Sequence, residues 1–330
     1  MYPHQRLQVN TVFEVVNAAG LQTAYTDKHP AYDLVRGPSG KGLTTGYFPE
    51  INAIANNVNA TIGYDSLHVQ AWLDWIDGIT PVNSTYGSLT AGQMPALMGG
   101  NFQCVSVAQK TVGYNTDLSF TSNLTQAFDF VDTSIGKIVS KLEAKSLLAD
   151  TLIFIVSKHG QTPIDKSLFK EIDPAAVMNA TGVPTAFITT DDIALIWLNE
   201  TSDIAAAVAN LNAKSSSLAI QEIIYGQSLI DQGFGDPSKS PRVPHIIVRP
   251  TLGVVFSKAT KVAEHGGLSD DDRHVTCLVS NPKLSKQVVT ARVETKQVGP
   301  SILAALNLDV NVLQAAVSEG TVVLPRLFTW

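Results

Sequence analysis

Apolar positions along this chain follow two patterns, helical spacing and short continuous runs. Helical spacing predicts helices over residues 11–19, 65–77, 124–148, 202–217 and 297–308. Continuous apolar or β-branched runs predict strands over residues 101–110, 151–157, 193–199, 245–250 and 275–280. Helices that alternate with strands buried on both faces are typical of a doubly wound sheet. We therefore expect an α/β fold, with one domain over residues 1–330 and a mainly parallel sheet between helices.

Composition and charge limit the classes of function. The 330 residues are 45% hydrophobic and 16% charged, which is enough apolar material for a sizeable core. The net charge of -6 places no broad basic field on the surface, so nucleic acid and anionic membranes are not expected as partners. No apolar run approaches the roughly 20 residues of a membrane span, so none is predicted.

Five N-x-T sequons bear on the cellular compartment. Their asparagines are Asn59, Asn83, Asn123, Asn179 and Asn199. They predict N-glycosylation and a secreted or secretory-pathway protein, although the opening MYPHQRLQVNTVFEVV has none of the features of a signal peptide. The alternative is that sequons arise by chance in a threonine-rich chain. Cys104 and Cys277 are expected to be small buried hydrophobes rather than a disulfide.

Polar, ligand-capable residues follow several of the predicted strands. They are Asp27 and His29 in TDKHP, Ser106 to Lys110 in VSVAQK, Lys158 and His159 in VSKHG, and His265 in AEHGG. A lysine beside a histidine at the end of an apolar strand is costly unless both have partners. Since the ends of strands in an open sheet converge on one crevice, these residues predict a site.

These residues lie in segments that resemble the alkaline phosphatase superfamily, specifically its type I phosphodiesterase and nucleotide pyrophosphatase branch. The resemblance covers nearly the whole chain from about Val9, and its best markers include IVSKHGQTPID, KVAEHGGLSDDDRHVTCLVS and ETKQVGPSILAALNL. It implies an alkaline-phosphatase-like three-layer sandwich. It also implies a metal-dependent hydrolase of phosphate mono- or diesters that uses a Ser or Thr nucleophile.

The resemblance further implies two metal ions, usually zinc, held by carboxylates and imidazoles. His159 matches the histidine of the family's S-D-H-G motif, and His265 matches a late histidine before a glycine. Both are expected to be metal ligands, with Asp27 and His29 as further candidates. The alternatives are hydrogen-bonded core histidines at His159 and His265, and a loop histidine bonded to a neighbouring aspartate at His29.

Three departures from the family pattern affect this expectation. Lys158 replaces the carboxylate of S-D-H-G, and the family's D-x-x-x-H pair falls on Ser106 and Lys110. A protonated lysine cannot bind a metal, so Lys158 is a candidate for direct binding of an anion, or else a salt-bridged supporting group. The family's first strand, with a metal-binding aspartate, and the segment with the nucleophile would precede the matched region.

The sequence therefore predicts a phosphoric ester hydrolase-type protein that is degenerate or truncated. The alternatives are a non-catalytic anion-binding pseudoenzyme of the same fold and a chain whose upstream segment restores activity. The expected cofactor is zinc or another divalent metal in full-length relatives, with weak or no metal binding here, since a stable zinc site needs three or four protein ligands. The expected ligand is a small anionic phosphate ester.

Overall fold

The computed structural model describes residues 2–28, 30–49, 56–258 and 262–327. The α-helices of these ranges are α1 (Val12–Ala18), α2 (Val58–Ile76), α3 (Cys104–Thr111), α4 (Ser122–Ala144), α5 (Pro174–Ala180), α6 (Ile204–Ala213), α7 (Gln227–Asp231), α8 (Asp270–Arg273), α9 (Val298–Ala305) and α10 (Gln314–Ser318). The strands are β1 (Thr23–Thr26), β2 (Thr45–Tyr47), β3 (Leu97–Gly100), β4 (Ile153–Val156), β5 (Thr162–Pro163), β6 (Lys170–Glu171), β7 (Thr185–Thr190), β8 (Ala194–Leu198), β9 (Ile220–Tyr225), β10 (Ile246–Pro250), β11 (Val254–Val255), β12 (Ala263–Glu264) and β13 (Cys277–Ser280).

The chain forms two compact units. Unit 1 comprises Met1–Ala108, Asn123–Val156 and Thr276–Trp330, and unit 2 comprises Gln109–Ser122 and Ser157–Val275. The expectation of one domain over residues 1–330 stays a prediction.

Unit 1 contains a parallel sheet with strand order β2-β1-β3. Helix α2 packs on this sheet because its buried side chains recur at helical spacing, with Val69, Trp72 and Trp75 contacting Ala24 of β1 and its neighbours. The Asn57 side chain accepts a hydrogen bond from the N–H of Ala60 and so caps the first turn of α2. Parallel pairing, which the sequence predicts, is therefore present in this sheet.

The terminal parts of unit 1 form a second apolar cluster. Helix α1 begins with a capping box between Thr11 and Glu14. Its buried Val16 packs against Leu303 of α9 and Leu313. The predicted helices over residues 11–19 and 297–308 are thus present as α1 and α9, and they pack on each other.

Unit 2 contains a four-stranded antiparallel sheet with order β7-β8-β10-β9. One face of the sheet packs on α5 and α6, and its core includes Ile196, Val248, Leu211 and Phe256. The helix predicted over 202–217 is α6, and it covers this face of the sheet. The prediction of mainly parallel pairing does not extend to this sheet, because its strands are joined in part by short connections that favour antiparallel neighbours.

Two strand predictions are wrong. Residues 101–110 were expected to form a buried strand, yet Cys104–Thr111 is helix α3. The run 275–280 is strand β13, but it is not a core strand, since Cys277 is exposed and Leu278 is half exposed. Within the described ranges β13 pairs with β4 alone, and a two-stranded pair leaves much of its surface to solvent. Cys104 is buried as expected and Cys277 is not, and both thiols are free.

Candidate functional site

His159 and His265 lie next to each other in unit 2. The centroids of their imidazole rings are 4.0 Å apart, with the ring planes tilted by 30°. Strand pairing explains this proximity, because β5 pairs antiparallel with β12 and Glu264 lies opposite Thr162. In an antiparallel pair, the residues after Glu264 run alongside those before Thr162. The register therefore brings together two histidines that are 106 positions apart in the sequence.

A lysine completes this cluster. The ammonium nitrogen of Lys110 lies 2.9 Å from Nε2 of His265 and 3.3 Å from Oε1 of Glu264. The carbonyl of Lys110 accepts a hydrogen bond from the N–H of Val262, which precedes β12. This backbone bond holds the last turn of α3 against the strand that ends at Glu264. The ammonium donates to the imidazole, so Nε2 of His265 is an acceptor and its proton is on Nδ1.

The glycine after His159 allows a close approach of the backbone. Its N–H donates to the carbonyl of Asp272 at 2.7 Å, and a Cβ atom at this position would lie 1.8 Å from the carbonyl oxygen of Asp271. Only glycine therefore fits at position 160. The Nδ1 of His159 is 2.7 Å from the carbonyl of Gly160, which places the proton on Nδ1 and leaves Nε2 as the acceptor of the neutral ring.

The loop after His265 is held by short-range hydrogen bonds. Ser269 caps α8 through a capping box with Asp272, and its hydroxyl also lies 3.1 Å from the hydroxyl of Thr162 in β5. The glycine after His265 has a different role from Gly160, because Gly266 has a φ of +100° and no atom within 4 Å of an added Cβ. Its backbone conformation, rather than space, calls for glycine.

Lys158 is in a different environment from Lys110. Its side chain is exposed, and it follows β4 in the chain. Lys110, which the sequence pattern names among the strand-end polar residues and as a replaced metal ligand, contacts His265. The anion-binding role predicted for Lys158 stays a prediction.

Asp27 belongs to unit 1, where it follows β1 and is fully buried. Its carboxylate accepts hydrogen bonds from the Tyr25 hydroxyl at 3.2 Å and from the N–H of Lys28 at 2.8 Å. Burial, with a smaller contribution from the Asp27 charge, raises the pKa of Tyr25 above its ordinary value. His29 lies outside the described residues, so its predicted partnership with Asp27 stays a prediction.

Unit 1 also buries a polar group that sequence reasoning missed. Asp65 and His68 are one helical turn apart on the face of α2 that packs on the sheet, and both are fully buried. Asp65 accepts hydrogen bonds from the backbone N–H groups of Gln103 and Cys104, each at 2.8 Å. His68 is hydrogen-bonded through Nδ1 to the Thr26 hydroxyl at 2.6 Å. The sequence does contain a signal for this buried pair, because Asp65 and His68 are polar residues spaced i and i+3 within the apolar stripe of a helix.

Burial shifts both of these groups toward their neutral forms. It raises the pKa of Asp65 to about 6, an effect to which the nearby Asp27 charge adds and which the N–H groups of Cys104 and Gln103 oppose. Burial alone lowers the pKa of His68 to about 4. At neutral pH the pair thus consists of a carboxylate held by the first N–H groups of α3 and a neutral imidazole.

The residues of the histidine cluster do not fit a zinc ion as they stand. A zinc site needs three or four ligands that converge on one point. Within the ranges that the structure covers, no group of three or more His, Cys, Asp or Glu side chains is arranged to hold a metal ion. The Nε2 of His265 is instead in contact with Lys110. The metal-ligand roles of His159, His265, Asp27 and His29 stay predictions.

Comparison with solved structures identifies the fold of this chain. Murine ectonucleotide pyrophosphatase/phosphodiesterase 5, as an inactive variant in complex with AMP, matches with a TM-score of 0.61 and 13% identity over 90% of this chain and 70% of that chain. Phosphonoacetate hydrolase from Sinorhizobium meliloti, in complex with phosphonoacetate, matches with a TM-score of 0.57 and 12% identity over 93% of this chain and 76% of that chain. The wild-type alkaline phosphatase PafA matches with a TM-score of 0.59 and 10% identity over 93% of this chain and 76% of that chain. The α/β, alkaline-phosphatase-like fold is thereby confirmed.

A family model identifies the family of this chain. The chain belongs to the type I phosphodiesterase/nucleotide pyrophosphatase family, whose model matches residues 4–272. Among curated proteins, none matches the sequence. The family resemblance that the sequence motifs predict is confirmed, and the matched range includes the whole His159, His265 and Lys110 cluster.

Proposed function

We propose that this protein is of the phosphoric ester hydrolase type and binds a small phosphate ester at the cluster of His159, His265 and Lys110. The observation that carries the proposal is the contact of the two imidazoles at 4.0 Å with an ammonium 2.9 Å from one of them. The Lys110 ammonium and the Nδ1–H of His265 are strong donors to phosphoryl oxygens, and the partly buried position of the ammonium strengthens the attraction. Membership of the family supports the same ligand class.

We further propose that binding exceeds turnover in this chain. Phosphoryl transfer needs a positioned nucleophile as well as electrostatic stabilisation. The ammonium of Lys110 lies 2.9 Å from Nε2 of His265, where the family resemblance implies a metal ion that would activate such a nucleophile. The alternative of a non-catalytic anion-binding pseudoenzyme is favoured by the same contacts.

AMP and nitrophenyl phosphate esters test this proposal. AMP is a suitable probe because the murine relative was solved in complex with it. We expect AMP to bind the purified 330-residue chain and nitrophenyl mono- and diesters to be hydrolysed near background. His159→Ala should weaken AMP binding at least ten-fold. His274→Ala is the matched control, since it removes an exposed imidazole from the same unit.

Two outcomes would count against the proposal. Equal AMP affinity in His159→Ala and the wild type would remove the histidine cluster as the binding site. Rapid hydrolysis that depends on added zinc and is lost in His159→Ala would show an active metal-dependent hydrolase, and would refute weak turnover.

We also propose a secretory route with N-linked glycans. The five sequon asparagines, at positions 59, 83, 123, 179 and 199, are all exposed, which is a requirement for a mature glycoprotein. The described part of the chain has no helix long and apolar enough to cross a membrane. Expression in a eukaryotic secretory host should give a protein whose mass falls on treatment with an N-glycosidase. An unchanged mass would contradict glycosylation at these sites.

A further inference from the structure

The Lys110 ammonium lies where a metal ion bound to His265 would have to lie. Zinc binds an imidazole nitrogen at about 2.0–2.1 Å along the direction of the lone pair. The Nζ of Lys110 is 2.9 Å from Nε2 of His265, so an ion on this nitrogen would approach Nζ to about 1 Å. The lysine and a metal ion therefore exclude each other at this atom.

The groups around the ammonium are those that zinc would use. His265 and Glu264 contact the ammonium and His159 packs on His265, so the cluster contains the donor types of zinc sites, although with Lys110 in place the described side chains do not converge on one metal position. Glu264 is bound to Lys110 at 3.3 Å, and its side chain is 1% exposed. Each of two potential ligands, His265 and Glu264, thus has an atom that faces Lys110 instead of a shared metal position.

We propose that Lys110 takes the place of a divalent cation at this cluster. It closes Nε2 of His265 and Oε1 of Glu264 to zinc, and it presents an N–H group to a phosphoryl oxygen of the bound ester. This inference rests on the proposed function for the identity of the ligand, while the exclusion of zinc rests on the Lys110 contacts alone.

The geometry of the ammonium suits both tasks. An ammonium has three N–H donors, and the contacts that the structure describes direct two of them to His265 and Glu264. The Lys110 side chain is 28% exposed, whereas its carboxylate partner is almost completely buried. The ammonium is therefore the charged group of this pair that an external anion can reach.

Zinc affinity of the full chain, measured by competition with a chromogenic chelator after treatment with EDTA, tests the exclusion. We expect the wild type to bind zinc weakly and Lys110→Met to bind one equivalent at least ten-fold more tightly. Lys158→Met is the matched control, because it removes a lysine adjacent to His159 in sequence, and its zinc affinity should stay within three-fold of the wild type. Tight stoichiometric zinc in the wild type, or no gain in a folded Lys110→Met, would overturn the inference.

Binding of inorganic phosphate in the presence of EDTA tests the second task. We expect calorimetry to show binding by the wild type, by Lys110→Arg and by the control Lys239→Met, which removes an exposed lysine of the same unit. Lys110→Met should lose at least ten-fold in phosphate affinity. If Lys110→Met alone does not fold, phosphate binding is measured instead in the double variant Lys110→Met with Glu264→Gln, which removes both charges of the pair. If the wild type bound phosphate only after zinc was added, the inference would be overturned.

The two proposals fail in different ways. If neither the wild type nor any variant binds phosphate or AMP, the proposed function is wrong. The zinc affinities of Lys110→Met and Lys158→Met still decide in that case whether Lys110 excludes the metal. If phosphate binds and Lys110→Met neither gains zinc nor loses phosphate, the ligand class stands and the role of Lys110 is refuted.

Discussion

The buried pair Asp65 and His68 predicts opposite pH dependences of stability that nearly cancel in the wild type. His68 has a pKa of about 4 when folded, against 6.5 when exposed. Its contribution to stability is fully present above pH 6.5 and is lost as the pH falls toward 4, because the unfolded chain binds the proton first. At about 1.4 kcal/mol for each pKa unit, this loss is about 3 kcal/mol.

Asp65 acts in the other direction. Its pKa is about 6 when folded, against 3.8 when exposed. Its protonated form is favoured by the fold, so its contribution to stability is present below pH 3.8 and is lost as the pH rises through 6. The difference is also about 3 kcal/mol, because the folded chain takes up this proton about two pH units before the unfolded chain does.

Single substitutions separate the two contributions. Asp65→Asn removes the low-pH stabilisation by Asp65, so its unfolding free energy relative to the wild type should fall by about 3 kcal/mol between pH 7 and pH 4. His68→Gln removes the low-pH destabilisation by His68, so its unfolding free energy relative to the wild type should rise by about 3 kcal/mol over the same range. Comparison with the wild type at each pH cancels the titration of the other carboxylates.

Urea unfolding at pH 4, 5, 6 and 7 measures these differences. Trp72 and Trp75 lie on α2 of unit 1. Trp197 lies on β8 of unit 2, so Trp197→Phe is made in every protein compared and the fluorescence then follows unit 1. The Asp27 charge and the Cys104 thiol also face Asp65, so both residues stay unchanged in every variant. A difference between Asp65→Asn and the wild type that is independent of pH would refute the reasoning, as would slopes of the same sign in the two variants.

Two further substitutions test the packing around the site. Gly160→Ala should lower the unfolding free energy by about 1–3 kcal/mol, because its Cβ would meet the carbonyl oxygen of Asp271 at 1.8 Å. The same substitution should weaken AMP binding, because it displaces His159. AMP binding equal to that of the wild type would contradict the role of Gly160 in positioning His159. Phe256→Ala in the core of unit 2 should cost about 3–5 kcal/mol in urea unfolding, since Phe256 is fully buried, and a loss below about 1 kcal/mol would show that the site collapses without a cavity.

Strand-end reasoning and family resemblance were sufficient to bring His159 and His265 to one site. Both histidines are followed by glycine, and the structure gives a separate reason for each glycine. Gly160 allows the close approach of the Asp271 backbone, and Gly266 has a positive φ. The register of β5 on β12, by contrast, could not be predicted from strands of two residues each. A pattern of alternating side chains needs more positions than that to specify a register.

Helix α3 shows why local pattern failed elsewhere. The β-branched and apolar residues of 101–110 favour a strand on their own. In the structure the Asp65 carboxylate accepts hydrogen bonds from Gln103 and Cys104, and so places a negative charge at the first turn of α3. A carboxylate at this end stabilises a helix through its exposed N–H groups and its dipole. Because this cap comes from α2, it is not visible in any window around position 104.

The same change of element determines the chemistry proposed for the site. Had residues 101–110 formed a strand, successive side chains would have pointed to opposite faces, and the backbone of Lys110 would have been used in a sheet ladder. As the penultimate residue of α3, Lys110 instead has a carbonyl that is free to accept the N–H of Val262 and a side chain that reaches His265. The Asp65 carboxylate thereby helps to form the first turn of the helix whose penultimate residue is Lys110. Substitution of Asp65 should for this reason alter the conformation of α3 as well as the stability of its own unit.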